Sequence, residues 1–168
     1  MKKAVIFDLD LTLVDSTSSE PARHIRDWKT VYSLIPQYRL YDGLNEVFSY
    51  IRNNYIKVAI VSTAPSIYVQ RVVNQFNIPT DFIVGYHDAK PIKPNPVPMI
   101  KALNLLDIRP ADTISFGDRA IDILAAKRAQ IESIACLWGT KEKSTLLDSP
   151  YDALIDEPRE IITLLSRN

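Results

Sequence analysis

Asp8 and Asp10 are the residues whose type and spacing point most directly to chemistry. They end the apolar run that opens Ala4-Val5-Ile6-Phe7-Asp8-Leu9-Asp10-Leu11-Thr12-Leu13-Val14-Asp15-Ser16. Ala4 to Phe7 read as a fully buried strand of a parallel sheet. In extended chain an i, i+2 spacing puts both carboxylates on the same side. Two acids at the end of a buried strand are costly unless something pairs with them. A divalent cation with oxygen ligands would do so, and Mg2+ is the natural candidate. A lone pair of this kind also occurs in caps and turns, so the reading depends on what else the chain brings there.

Lys57-Val58-Ala59-Ile60-Val61-Ser62-Thr63 reads as a second buried strand, ending in two hydroxyls. Phe82 to Tyr86 forms a short third strand. The stretch Lys90-Pro91-Ile92-Lys93-Pro94-Asn95-Pro96-Val97-Pro98 carries four prolines and cannot be continuous helix. Asp112 to Phe116 is a fourth strand that runs into Gly117-Asp118, with Asp122 four residues further on at the front of a helix. A parallel sheet gathers all these residues at the carboxyl edge of its strands, where ligands bind in such folds. Asp8, Asp10, Asp118 and Asp122 would repel one another there, and a divalent cation and Lys93 would balance them. Ser62, with Thr63 as its adjacent rival, would donate a hydrogen bond. Such a site holds a metal beside a tetrahedral anion, the set of parts that phosphoryl transfer needs. A carboxylate can be the nucleophile, and a second acid can protonate the leaving oxygen and then activate water.

The elements that must position these groups alternate between strand and helix. Thr17-Ser18-Ser19-Glu20-Pro21 is a helix start, and Ala22, Ile25, Trp28, Val31 and Tyr32 then recur at helical spacing to near Pro36. Arg23, Arg26 and Lys29 fall mostly on the opposite face, either solvated or a guide for an anionic substrate. Further helices are predicted over Leu44 to Asn53, from Pro65 to Asn77, through Met99 to Leu106, through Leu124 to Ala129, around Lys141–Leu147 and from Pro158 to Leu165. A fifth strand covers Ser133 to Trp138, and a short one Ala153 to Ile155. The alternation implies an α/β layer fold with a parallel sheet.

Composition narrows the class. The chain has 168 residues, 46% of them apolar, and a formal net charge of zero. That size suits one domain with a real core. There is no basic excess to suggest nucleic-acid binding and no acidic block to suggest a disordered tail. The single cysteine, Cys136, sits in an apolar run and fits a buried small hydrophobe in a reducing, cytoplasmic setting. No apolar stretch is long enough to cross a membrane.

Taken together these residues resemble the haloacid dehalogenase-like hydrolases, in their phosphoglycolate-phosphatase-like branch, over nearly the whole chain. Asp8 to Ser16 is similar to the family's first motif, Ser62 to the second-motif hydroxyl and Lys93 to the third-motif lysine. Gly117-Asp118-Arg119-Ala120-Ile121-Asp122 is similar to the acidic fourth motif. The resemblance implies a three-layer, Rossmann-like parallel sheet with helices on both faces. Residues 1–168 would form a single core domain, with 16–41 as a minimal cap-like insert after the first strand. It also implies a Mg2+-dependent phosphomonoester hydrolase with Asp8 as nucleophile and Asp10 as general acid/base. Mg2+ would be held by the Asp8 side chain, the Asp10 backbone carbonyl and Asp118, and Asp122 would support it directly or through water. Asp122 also fits a plain helix-terminus charge, and Lys90 is a rival to Lys93.

The sequence departs from the family pattern in three places. Leu11 and Gln130 stand where many relatives have glycine. The insert has room for little more than one helix, which points to an open cleft. Its substrate would then be a bulky or macromolecular phosphorylated group, nucleic acid entering only as such a substrate, or an oligomer would shield the site. His24, Trp28, Tyr32 and Tyr38 either touch substrate or pack the short helix on the core. Other readings are a phosphotransferase or mutase of the same family, and a non-catalytic phosphate-binding or signalling protein on the same fold. A receiver domain would place its phosphorylated aspartate after the third strand, which here ends in Tyr86-His87-Asp88.

Overall fold

A computed structural model describes residues 1–167. The chain runs β1 (Ala4–Phe7), β2 (Val14–Asp15), α1 (Glu20–His24), α2 (Trp28–Leu34), β3 (Arg39–Leu40), α3 (Leu44–Asn53), β4 (Lys57–Val61), α4 (Ser66–Phe76) and β5 (Phe82–Val84). It continues through α5 (Val97–Leu106), β6 (Thr113–Gly117), α6 (Ala120–Arg128), β7 (Glu132–Cys136), α7 (Lys143–Leu147), β8 (Ala153–Ile155) and α8 (Glu160–Ser166). Six strands form one parallel sheet in the order β5-β4-β1-β6-β7-β8. Strand order reverses between β1 and β6, so the crevice at their carboxyl ends is the switch point.

β1 is buried on both faces because its side chains alternate between two cores. Val5 and Phe7 join Val58, Ile60, Ile114 and Phe116 under α3, α4 and α8. Ala4 and Ile6 join Ala59, Val61 and Val84 under α5 and α6. Phe7 and Phe116 stack with centroids 5.4 Å apart, which locks the two central strands in register next to the acids that follow them. Burying each such side chain contributes about 1.5–3 kcal/mol. The helices follow from the same patterning: α3 buries Leu44, Val47, Phe48 and Ile51, a single helical stripe. No helix among the described residues is long and apolar enough to cross a membrane.

Two local features differ from the sequence expectation. The helix predicted from Ala22 toward Pro36 is two short helices, α1 and α2. Between them Arg26 adopts a left-handed φ of 59°, and Asp27 caps α2 by accepting the Thr30 N–H at 3.2 Å. Ala22 and Val31 both point inward, so the apolar periodicity runs across the break and hides it. The second feature is the antiparallel pairing of β2 with β3, Val14 opposite Leu40 and Asp15 opposite Arg39, which ties the two ends of the insert together. Two-residue strands carry no readable alternation.

The two missing glycines have a common physical setting. Leu11 has φ 64° and Gln130 has φ 61°, both in the left-handed region that glycine enters freely. A side chain there costs about 1–2 kcal/mol. Gln130 is exposed, so Gln130→Gly is expected to stabilise the fold by about 1 kcal/mol. Urea unfolding at constant m-value measures this, and a loss of stability would show that the Gln130 side chain contributes more than its backbone costs.

Candidate active site

Asp8 directly follows β1, and its N–H donates to the Phe116 carbonyl of β6 at 3.0 Å. Lys93 reaches it from the proline-stiffened loop before α5. Its Nζ donates to Asp8 Oδ1 at 2.7 Å, to Asp122 Oδ1 at 2.5 Å and to the Val61 carbonyl at 2.8 Å. All three ammonium donors are thereby used. Burial works against the charge on Lys93, but Asp122 and Asp8 outweigh it and raise the pKa, so the cation is fixed. Lys90 instead places its Nζ 5.0 Å from the centre of the Tyr86 ring. Of the two lysines, Lys93 is the one brought to the acids.

Asp118 and Asp122 come from the turn between β6 and α6. Asp122 Oδ2 accepts the Arg119 N–H at 3.1 Å, so this residue caps its own helix while its other oxygen pairs with Lys93. Gly117 makes that possible: a Cβ there would lie 2.4 Å from the Asp122 Cβ. Thr12 Oγ1 donates to Asp118 Oδ1 at 3.0 Å, while Asp118 Oδ2 is buried with no partner. Burial, and then the neighbouring Asp8 and Asp122, push Asp118 up to about 8. Burial also pushes Asp8 up to about 7, although Lys93 opposes it. Asp8, Asp118 and Asp122 each offer an oxygen within 4.8 Å of the others. Three carboxylates facing one ammonium, with a buried oxygen left unpartnered, fit a hard divalent cation.

The Asp10 carboxylate is held apart from that cluster. Its Oδ1 accepts from Ser16 Oγ at 2.6 Å, from the Tyr68 hydroxyl at 2.6 Å and from Arg23 Nη1 at 2.7 Å. Burial and then Asp10 itself keep the Tyr68 hydroxyl protonated well above the usual tyrosine range. Ser62 Oγ accepts the Ala64 N–H at 3.0 Å, which leaves its own O–H free to donate. Asp8, Asp10, Ser62, Thr63, Lys93 and Asp118 line a cavity of about 260 Å3. Over it, Glu20 of α1 pairs with Lys141 from the loop after β7.

Sequence reasoning gave no site role to Tyr68 or Thr12, and did not place Arg23 on Asp10. Thr12 lies within the first acidic stretch, two residues past Asp10, and was readable as a further hydroxyl. Arg23 was legible only as part of a basic face, solvated or guiding an anionic substrate. Tyr68 carries no sequence signal, because it meets Asp10 across 58 residues of chain. Of the four aromatic and histidine candidates in the insert, Tyr38 is buried with its hydroxyl on Ser19, and Tyr32 lies under Arg71. His24 and Trp28 line a neighbouring cavity.

A parallel sheet of this strand order, with an acid cluster and a buried lysine at its switch point, defines a Rossmann-like α/β protein built to hold charge at one edge. A family model described as haloacid dehalogenase-like hydrolase matches residues 18–136. The chain belongs to that family. Pyrophosphatase PpaX of Oceanobacillus iheyensis is 29% identical over 160 residues, covering 94% of this chain and 72% of that protein. Pyrophosphatase PpaX of Bacillus mycoides is 28% identical over 129 residues, covering 76% of this chain, which spans only 60% of that protein's length. Among solved structures, CbbY from Rhodobacter sphaeroides in complex with phosphate superposes with a TM-score of 0.80 at 18% identity, over 96% of each chain. A haloacid dehalogenase-superfamily hydrolase from Geobacter sulfurreducens gives 0.79 at 20% identity, over 98% of this chain and 100% of that one. These likenesses establish the shared fold.

Proposed function

We propose that the chain hydrolyses phosphate monoesters with Mg2+, through an aspartyl-phosphate on Asp8. The observation that carries this reading is the convergence of Asp8, Lys93, Asp122 and the unpartnered Asp118 Oδ2 at one strand edge. Asp8 and Asp118 side chains, with the Asp10 carbonyl, would hold the cation, and Asp122 would support it; when bound, it offsets the negative charge of the phosphoryl oxygens. Lys93 holds Asp8 by Oδ1, which leaves Oδ2 to attack phosphorus. The bond from phosphorus to the leaving oxygen breaks, and Asp10 gives that oxygen its proton. Asp10 then takes a proton from water, whose oxygen attacks phosphorus, and the bond to Asp8 breaks to release orthophosphate. Ser62 donates to a phosphoryl oxygen in both steps, with Thr63 beside it. Arg23, Tyr68 and Ser16 orient Asp10 by one oxygen and leave the other for proton exchange.

Residues 16–41 would act as a cap-like insert on the core, and the Glu20–Lys141 and Arg23–Asp10 pairs support this by fastening it across the cavity. These contacts give no support to a bulky substrate or a covering second subunit. A mutase or phosphotransferase would need fuller exclusion of water than two short helices provide. The test is orthophosphate release from an aryl phosphate and a metabolite panel, with Mg2+ and with chelator. Chelator-sensitive release supports the reading, and release that ignores chelator counts against it.

Metal binding has a separate readout. Folded-state values near 7 for Asp8 and 8 for Asp118 lie above that of free aspartate, about 3.9. Both groups therefore favour the cation-free fold below pH ~4 and stop doing so as pH rises through their folded values. A cation competes with those protons. Saturating Mg2+ is expected to raise Tm by about 5–10 °C at pH 8 and by less at pH 6. Equal melting in Mg2+ and chelator at both pH values would argue against a metal at these acids.

A further inference from the structure

Beside the acid-lined cavity lies a second one of about 410 Å3. Asp10, Glu20, Arg23 and Thr63 line both, so the two meet where a leaving group would depart. The character of the wall changes across that line. The first cavity is carboxylate and ammonium. The second is faced by Trp28 from α2 and by Tyr86 and His87 from the loop after β5. Trp28 is fixed in place by packing on Tyr68, with ring centroids 5.8 Å apart, and Tyr68 is the residue that donates to Asp10. Tyr86 meets the His87 ring edge-on at 4.8 Å and carries the Lys90 ammonium 5.0 Å from its own centre, so Trp28 is the ring left to stack on a ligand. The left-handed turn at Arg26, φ 59°, breaks the insert so that α2 begins at Trp28 on this wall. Arg26 itself lines the cavity and makes no ion pair among the described residues.

These walls do not suit a small inorganic leaving group. Orthophosphate leaving from pyrophosphate would occupy the acid-lined cavity and its rim, and would leave the Trp28 ring unused. Aromatic rings and a free guanidinium recognise planar π systems by stacking and cation–π attraction. We propose that the second cavity receives the leaving group, and that the substrate is a phosphomonoester whose leaving group carries a planar aromatic base, a nucleoside 5′-monophosphate being the simplest such compound. The inference rests on the phosphatase reading and adds its substrate class. In the reaction the phosphorus–O5′ bond breaks, O5′ takes the Asp10 proton, and water completes hydrolysis to nucleoside and orthophosphate.

The comparison that isolates the base is a nucleoside 5′-monophosphate against ribose 5-phosphate, since both leave as a primary alcohol and only the base differs. Adenosine and uridine 5′-monophosphates, ribose 5-phosphate, inorganic pyrophosphate and an aryl phosphate would be compared by kcat/KM with Mg2+. The better nucleotide is expected to exceed ribose 5-phosphate by about tenfold or more, the worth of one base stacked on an aromatic side chain. Trp28→Ala is expected to bring that ratio down to within about threefold of one by removing the stacking partner. Reading the ratio cancels any loss of fold or catalysis common to both compounds. Should Trp28→Ala not fold, Tyr86→Ala removes the other ring that lines this cavity and reads the same ratio. A wild-type ratio near one, a ratio unchanged in both variants, or a preference for pyrophosphate over both nucleotides would overturn the inference and leave the phosphatase reading intact. No release from any of the compounds would overturn both.

Discussion

Asp8→Asn is expected to lose at least about a thousandfold in kcat for every hydrolysed phosphoester, because the amide cannot form the proposed covalent intermediate. Asp8 is the carboxylate that stands at the carboxyl end of β1, with Lys93 on one oxygen and the acid cluster beside it. Loss of activity through unfolding would mimic this result, but the site's electrostatics predict the opposite effect on stability. Asp8 is pushed up to about 7 by burial, so above neutral pH its charge opposes the cation-free fold. Asparagine keeps an oxygen for Lys93 and removes that charge. The variant should therefore melt no lower than wild type in chelator at pH 8, while orthophosphate release is lost. Release that persists in a well-folded Asp8→Asn would mean a different nucleophile, and the mechanism would fall with it.

Much of this site was legible because its chemistry sits on short local motifs. A buried strand followed by two acids, a strand ending in hydroxyls and a strand ending in Gly117-Asp118 each show their secondary structure and candidate site residue together. The α/β rule then brings them to one edge without any knowledge of contacts. The Lys93 assignment was readable from the proline-stiffened loop, and the geometry separates it from Lys90 by placing one among acids and the other over a ring. What was not legible depends on contacts between distant segments. Arg23 and Tyr68 meet on Asp10 from an insert helix and a core helix, and neither has a motif of its own. The break at Arg26 was hidden because an apolar stripe can continue in phase across a turn, and the cap at Asp27 was the weaker signal. The left-handed backbone at Leu11 and Gln130 is invisible in their side-chain types, and shows only where a sequence departs from an expected glycine.

Lys93→Met is expected to damage both activity and stability, and the two effects can be separated. Methionine is close to lysine in length and volume, so packing is nearly kept. The change removes one charge and three donors from a side chain that is 2% exposed. The Val61 carbonyl loses its partner, and Asp8 and Asp122 face each other without an intervening cation. Breaking a buried ion pair from one side costs about 3–5 kcal/mol, a large share of the ~5–15 kcal/mol that holds a domain together. A fall in Tm of about 10 °C follows for a chain of this size. The pH dependence identifies the cause. With Lys93 present its folded pKa is raised, so its contribution is constant from pH 5 to 8, well below lysine's unfolded value of about 10.4. Without it, Asp8 moves further above about 7 and favours the fold only where it is protonated. The stability gap between wild type and Lys93→Met should therefore be widest at pH 8 in chelator and should narrow as pH falls toward 5. Urea unfolding across that range measures it. A gap of constant size would mean that lost hydrogen bonding to Val61, and not the unbalanced carboxylates, is what the lysine was offsetting.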